Sequence, residues 1–282
     1  MTDSMFFING KPETSFHIRD RGLCYGHGVF ETMALSASRI PLWQFHRQRL
    51  LRGLAALRIP LDGNLLALEL QRVLDATPET GIVKLMITAG QGSRGYRATA
   101  PVEATRIFQW LPPAPKMPAG TALVTLQVCN YRLPHNSYLA GIKHLNRLDQ
   151  VIAAQELDGN GQGLLLDVEG QVVEALSHNL FMRIDDRWLT PSLDRCGVVG
   201  VMRSVLIEEI FPRLSLNVVE SRFNLSQLLV ADEIFICNAI AGIQPVASIK
   251  MPSSGLEKNW HHHGETSRIR ACLEEMYPCF IA

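Results

Sequence analysis

The sequence predicts a mixed α/β protein of two domains. Three observations carry that expectation. Strand-like stretches alternate with stretches of helical periodicity along the whole chain. Its 282 residues exceed the usual size of one domain. A tract with four prolines in nine positions, residues 112–120, can continue neither a helix nor a central strand. The expected organisation is therefore an N-terminal α/β domain over 1–111, a linker over 112–120 and a C-terminal domain over 121–282.

The elements follow in order. Met5 to Gly10, M-F-F-I-N-G, reads as a strand ending in an Asn-Gly hairpin turn. Arg19, Asp20 and Arg21 then precede a loop marked by Gly22, Gly26 and Gly28, read either as a solvated turn or as a lip over a pocket. V-F-E-T-M-A-L resumes strand character. Residues 43–58 carry Phe45, Leu50, Leu54 and Leu57 at helical spacing, with His46, Arg49 and Gly53 near one another along the same helix. A second helix is expected over N-L-L-A-L-E-L-Q-R-V-L-D-A. G-I-V-K-L-M-I-T-A-G is a strand that places Lys84 among alternating apolar residues.

Gly90 to Gly95 matches G-x-G-x-x-G after a strand, the spacing of a dinucleotide-binding turn. That reading needs a helix whose N-terminus faces a pyrophosphate, and Y-R-A-T-A-P-V-E-A-T does not supply one. A glycine loop presenting Arg94, Tyr96 and Arg97 fits better. R-I-F-Q-W-L is a further strand.

The second half opens with the strand T-A-L-V-T-L-Q-V-C. L-A-G-I-K-H-L-N-R-L-D-Q-V then leads into an apolar helix through V-I-A-A-Q-E-L. Residues 164–190 read as successive strands with turns at Glu169-Gly170 and Asp185-Asp186. C-G-V-V-G-V-M-R enters an amphipathic helix through glycines, and the N–H groups of a helix start can bind an anion. A short helix, a strand and a turn complete the stretch ending I-F-I-C-N-A-I-A-G. Asn224-Leu225-Ser226 matches a glycosylation acceptor, idle without a secretory signal.

Charge excludes some classes. Twenty-seven basic residues balance 27 acidic ones, so nothing marks a nucleic-acid or anionic-membrane surface. No apolar run is long enough to span a membrane, and the N-terminus lacks a signal pattern. Six scattered cysteines without a C-x-x-C pair read as reduced thiols of a cytoplasmic protein. No metal site is expected from them, nor from His261, His262 and His263, which cannot share one helix face.

Two residues stand out chemically. Lys143 is one of six lysines against 21 arginines and lies in apolar surroundings. A solvating lysine gains nothing there, whereas apolar walls favour the neutral amine needed for a Schiff base; an alkyl stem covering a helix start is the alternative. Glu174 is an acid inside V-V-E-A-L, and a buried carboxylate requires a partner.

D-R-G-L-C-Y-G-H-G-V-F-E-T, H-R-Q-R-L, the lysine stretch, E-A-L-S-H-N-L-F, G-V-V-G-V-M-R and A-D-E-I-F-I-C-N-A, in this order, resemble the fold-type IV pyridoxal-phosphate enzymes. That family includes branched-chain and D-amino acid aminotransferases and 4-amino-4-deoxychorismate lyases. The resemblance spans nearly the whole chain. It implies two α/β domains with pyridoxal 5'-phosphate in the cleft between them, the C-terminal domain being the cofactor-binding one, and a homodimer. It also implies roles. Lys143 matches the lysine that bonds the cofactor, Glu174 the acid that pairs with the pyridine nitrogen, and Arg49 a phosphate-binding arginine. Val201 and Met202 match the helix-start N–H donors to the phosphate, and Asn238 and Ala239 the loop completing its seat. Arg94, Tyr96 and Arg97 are candidates for substrate carboxylates, and Thr32 for a catalytic hydroxyl.

L-A-G-I-K-H-L-N-R-L-D-Q-V and G-S-R-G-Y resemble the lyase branch. That branch implies a carbon–oxygen lyase making 4-aminobenzoate and pyruvate from 4-amino-4-deoxychorismate in folate synthesis, with a functional link to aminodeoxychorismate synthase. The alternative is an aminotransferase acting on branched-chain or D-amino acids. Two features depart from the aminotransferases: Asn146-Arg147 stands where many carry a tyrosine, and Cys237-Asn238-Ala239 where many carry hydroxyl residues.

Overall fold

The computed structural model describes residues 4–92, 94–97, 103–113, 123–157 and 161–281. The chain divides into two compact units, Met1–Pro115 with Ile142–Asn146, and Lys116–Gly141 with Arg147–Ala282. Of the proline tract, only Pro112 and Pro113 fall among the described residues; the remainder of the expected linker lies outside them.

The first unit is an antiparallel five-stranded sheet with helices. Its elements are β1 (Met5–Ile8), β2 (Lys11–Pro12), α1 (Arg21–Tyr25), β3 (Gly28–Leu35), α2 (Trp43–Ala56), α3 (Gly63–Ala76), β4 (Gly81–Thr88) and β5 (Thr105–Leu111). The strand order is β2-β1-β5-β4-β3. Asn9 and Gly10 turn the β1–β2 hairpin with φ of 51° and 74°, the left-handed pair that a two-residue hairpin favours. Strict alternation along β3 sends Val29, Glu31, Met33 and Leu35 to the buried face. The helix α2 packs there through His46, Arg49, Leu50, Gly53 and Leu54. A Cβ on Gly53 would meet Val29 Cγ1 at 2.9 Å, so glycine is what lets helix and strand approach.

The segment Ile142–Asn146 corrects the expected boundaries, which gave everything after residue 120 to the C-terminal domain. It belongs to the first unit because it pairs with β3, the sheet's edge strand. Phe30 N–H donates to Lys143 O at 3.0 Å and Leu145 N–H to Gly28 O at 3.0 Å. Val29 and His144 form an antiparallel bridge. An edge strand has spare N–H and C=O groups, and this short segment satisfies them.

The second unit is built on a nine-stranded mixed sheet. Its elements are β6 (Val124–Leu133), α4 (Leu148–Ala154), β7 (Gln162–Asp167), β8 (Val172–Ala175), β9 (Asn179–Ile184), β10 (Arg187–Pro191), α5 (Val201–Val205), α6 (Phe211–Arg213), β11 (Val218–Ser221), α7 (Leu225–Leu228), β12 (Glu233–Asn238), β13 (Gly242–Met251), β14 (Leu256–Asn259) and α8 (Gly264–Met276). A π-helical stretch, Leu206–Ile210, joins α5 to α6. The order is β11-β10-β9-β12-β13-β6-β7-β8, with β14 pairing off β13. Pairs β10–β11, β13–β6 and β6–β7 are parallel.

The core of this unit includes a stack of Phe181, Phe211 and Phe235 with Trp188 against it. Buried Glu233 accepts from Glu265 N–H at 3.0 Å and Thr266 N–H at 2.8 Å, fastening α8 by its first turn. Asn224, read above as an idle glycosylation acceptor, is the N-cap of α7 in a capping box with Gln227. The helix after the lysine stretch is short and exposes Leu148, Val151 and Ile152. Among the described residues no helix is long and apolar enough to cross a membrane.

Candidate active site

In the first unit, Lys143 has its main chain fixed by Phe30. Its Nζ stands 4.4 Å from the centroid of the Phe30 ring, and Lys84 Nζ stands 5.7 Å from the same centroid. Thr32 lies on the Phe30 side of β3, directly across from Lys84 on β4. Phe30, Thr32, Lys84 and Lys143 therefore present an amine-rich patch with one hydroxyl. Lys84 was read from the sequence only as a lysine among apolar residues; its register opposite Thr32 is what gives it a place here.

On the other face of β3, Glu31, His46 and Arg49 form a buried network. Arg49 Nε donates to Glu31 Oε1 at 2.8 Å and Nη2 to Oε2 at 2.5 Å, while His46 Nδ1 stands 2.6 Å from Oε2. Burial alone would raise the Glu31 carboxyl. The charge and hydrogen bonds of Arg49, joined by His46, override it and hold Glu31 at about 2. Burial lowers the His46 pKa against the pull of Glu31, so the ring is neutral and donates through Nδ1–H. Arg49 is thus fixed in position on α2. Glu31 was not singled out in the sequence, although it has the same signature as Glu174, an acid in an apolar strand.

Arg94, Tyr96 and Arg97 are exposed on the glycine loop. The loop is stapled from α1: Arg21 donates to Gly95 O at 3.0 Å and to Tyr96 O at 2.6 Å. Arg21 also lies over the Tyr25 ring, which packs against Tyr96. Asp20 is buried, accepts from Gly22 N–H at 2.7 Å as the cap of α1, and accepts from the Thr88 hydroxyl at 2.9 Å. The reading of residues 19–21 as a solvated turn is corrected: Asp20 and Arg21 are structural and buried. Described residues 90–92 and 94–97 form no helix; part of the stretch after them, residues 98–102, lies outside the described residues.

In the second unit, Glu174 is buried on β8 and its Oε2 accepts from Val198 N–H at 2.9 Å. Arg147 is close enough for Glu174 and Asp149 to oppose the lowering of its pKa by burial. Arg147, noted above as a departure from the aminotransferases, therefore shares an electrostatic environment with Glu174. Val201 and Met202 open α5 and are buried, with Gly200 as an N-cap that has no side-chain cap bond. A Cβ on Gly200 would fall 1.9 Å from Asn179 Oδ1, and Asn179 Nδ2 donates to Val198 O at 2.8 Å. The helix start is thus held by a side chain filling the place of a missing Cβ, and its N-cap glycine supplies no side-chain cap.

Asn238 ends β12 on the strand beside β9. Its Oδ1 accepts from Ile240 N–H at 2.9 Å and Ala241 N–H at 2.7 Å, and its Nδ2 lies 2.8 Å from His178 Nε2. The carboxamide therefore shapes the turn containing Ala239.

Taken unit by unit, the residues have chemistry suited to pyridoxal phosphate: an amine on a fixed backbone and a fixed guanidinium in the first, a buried carboxylate and a glycine-capped helix start in the second. A profile of the family described as amino-transferase class IV matches residues 28–249. The chain belongs to this family. It is 34% identical over 258 residues to a protein named aminodeoxychorismate lyase from Vibrio harveyi, covering 90% of this chain and 94% of that one. It is 28% identical over 257 residues to a putative branched-chain-amino-acid aminotransferase from Methanocaldococcus jannaschii, covering 86% and 87%. The crystal structure of 4-amino-4-deoxychorismate lyase from Pseudomonas aeruginosa superposes with a TM-score of 0.90 at 36% identity, over 96% of this chain and 98% of that one. The fold is thus the mixed α/β fold of fold-type IV enzymes.

Proposed function

We propose that this chain is a pyridoxal 5'-phosphate-dependent carbon–oxygen lyase that converts 4-amino-4-deoxychorismate to 4-aminobenzoate and pyruvate. The observation that carries the reading is the near full-length likeness to two lyases of that name, one of them a solved structure. The lysine with its amine over Phe30 is the local feature consistent with it.

When bound, the cofactor supplies an electron sink for the pair released at the amine-bearing carbon. Lys143 would hold the cofactor through its amine. Its neutral amine then removes the proton from that carbon. The ring bond to the enolpyruvyl oxygen breaks, and Lys143 returns a proton to the departing methylene, giving pyruvate and an aromatic amine. Glu174 would supply a negative charge for the cofactor's ring nitrogen. Arg49, the N–H groups of Val201 and Met202, and the turn at Asn238 and Ala239 would seat its phosphate. Arg94, Tyr96 and Arg97 receive substrate carboxylates, and Thr32 hydrogen-bonds at the reacting groups. Aromatisation drives the step, so positioning and proton handling are the protein's main tasks.

We place the enzyme in the cytoplasm, as a homodimer in folate synthesis whose substrate comes from aminodeoxychorismate synthase. The test is to supply authentic substrate to the purified holoenzyme and quantify pyruvate and 4-aminobenzoate. Equimolar release is expected, and Lys143→Ala should abolish both release and borohydride trapping of the cofactor. Absence of pyruvate, with efficient amino transfer to a keto acid, would instead establish the aminotransferase reading suggested by the likeness to the branched-chain enzyme.

A further inference from the structure

We propose that His135, Asp167 and Cys196 form a three-ligand site for a thiophilic divalent cation of the zinc class. The three come from separate segments of the second unit: His135 follows β6, Asp167 ends β7, and Cys196 precedes α5. Their ligand atoms lie within 4.8 Å of one another. Tetrahedral zinc, with bonds of about 2.0–2.3 Å, needs ligand separations of about 3.5 Å.

The surroundings orient the donors. Asp167 is buried, and its Oδ1 is spent on Glu169 N–H at 2.9 Å and Gln171 N–H at 2.8 Å. That leaves Oδ2 facing His135 Nε2 at 2.9 Å. On the far side of the ring, Nδ1 faces Glu169 Oε1 at 4.0 Å, and Glu169 is itself held by Arg195 at 2.6 Å. In the metal-free arrangement Nε2–H donates to Asp167 Oδ2, and a cation binding between the two takes the place of that proton. The segments carrying His135 and Cys196 are bonded to each other on both sides of the site. Asn136 N–H donates to Arg195 O at 2.8 Å and Gly141 N–H to Gly197 O at 2.9 Å.

The charges also match. A thiolate and one carboxylate neutralise a dication, and imidazole adds a borderline-soft donor. Binding displaces the Cys196 proton to solvent as the sulfur–metal bond forms. Partly exposed His135 gives an entry path, and a water completes the fourth position. None of these residues has a part in the reaction proposed above, so the site stands or falls independently of it.

The holoenzyme is dialysed against micromolar zinc, the retained metal is counted, and X-ray absorption at the zinc edge reads its neighbours. The expected result is one zinc per chain with one sulfur at about 2.3 Å. Cys196→Ser should remove the sulfur neighbour and weaken retention roughly tenfold or more, and His135→Ala should weaken it similarly. Changing His261, His262 and His263 together to alanine should leave the sulfur-bound zinc in place. No retained zinc, or zinc lacking a sulfur neighbour, would overturn the proposal. If Cys196→Ser fails to fold, His135→Ala at a partly exposed position decides: unchanged retention refutes the site.

Discussion

Glu31 and Glu174 are both buried glutamates in apolar strands, one in each unit, yet their charges are met differently. Glu31 is enclosed by a protein cation and a neutral donor, with both oxygens engaged by Arg49 and His46 at its second oxygen. Glu174 is met by the main-chain N–H of Val198, in the electrostatic range of Arg147. The first arrangement is architectural, because it fixes Arg49 at the price of a fully desolvated ion pair. The second suits a carboxylate assigned to a cationic ring. Sequence signature alone does not separate them; the partners do.

Removing one member of the first arrangement should have the largest effect. Glu31→Ala leaves Arg49 buried without its carboxylate, and breaking such a pair costs about 3–5 kcal/mol. Chemical denaturation should show that loss in the first unit, followed through Trp43 and Trp110. A loss below about 1 kcal/mol would mean that Glu31 is not essential to the packing of α2 on β3.

Acid should act on the same network. The Glu31 pKa is depressed on folding, from an ordinary 4.5 to about 2. Its contribution is therefore full above about 4.5 and is lost as pH falls through about 2. A shift of that size corresponds to on the order of 3 kcal/mol. His46 adds in the same direction. Burial lowers its pKa, so the unfolded chain takes up that proton first, and stability begins to fall below about 6.5. Denaturation midpoints measured from pH 7 to pH 3 should fall for the native chain and should fall less for Glu31→Ala.

The sequence made much of this visible where a local rule has a local cause. The Asn9-Gly10 hairpin follows from the turn's demand for two left-handed residues. Glu174 stood out because an acid in V-V-E-A-L contradicts its neighbours. His46, Arg49 and Gly53 were grouped by helical spacing, and all three are buried on one face of α2. What was not legible depends on partners distant in sequence. Ile142–Asn146 joins the first unit by pairing with β3, which lies more than a hundred residues earlier. Asp20 and Arg21 look like a solvated charge cluster until Thr88, Gly95 and Tyr96 are brought to them. Lys84 gains meaning only from the register of β4 against β3. Glu31 could have been found, since alternation from Val29 to Leu35 already puts it on the apolar side.

The second arrangement should respond oppositely. In Glu174→Gln the amide oxygen still accepts from Val198 N–H, so stability should change by less than about 1 kcal/mol. Loss of the charge should lower turnover about a hundredfold, equivalent to about 2.7 kcal/mol in the barrier. Steady-state pyruvate release and a melting curve on the same preparation test the two halves together. A variant that loses stability while keeping turnover would make Glu174 architectural like Glu31.

The smallest effect should come from Thr32, which separates the two faces of β3 most finely. Its neighbour Glu31 points to α2, whereas Thr32 stands on the Phe30 side opposite Lys84. Thr32→Val keeps the β-branched shape that suits a strand and removes only the hydroxyl. Stability should change by less than about 1 kcal/mol, because Thr32 is not part of the buried cluster of this unit. Turnover should fall by about tenfold or less, with little change in KM, if the hydroxyl strengthens its hydrogen bond as protons move. A fall in stability comparable to that of Glu31→Ala would show that the two faces of β3 are not divided between architecture and chemistry. An unchanged kcat would remove Thr32 from the reacting groups and leave Lys143 to manage the protons without it.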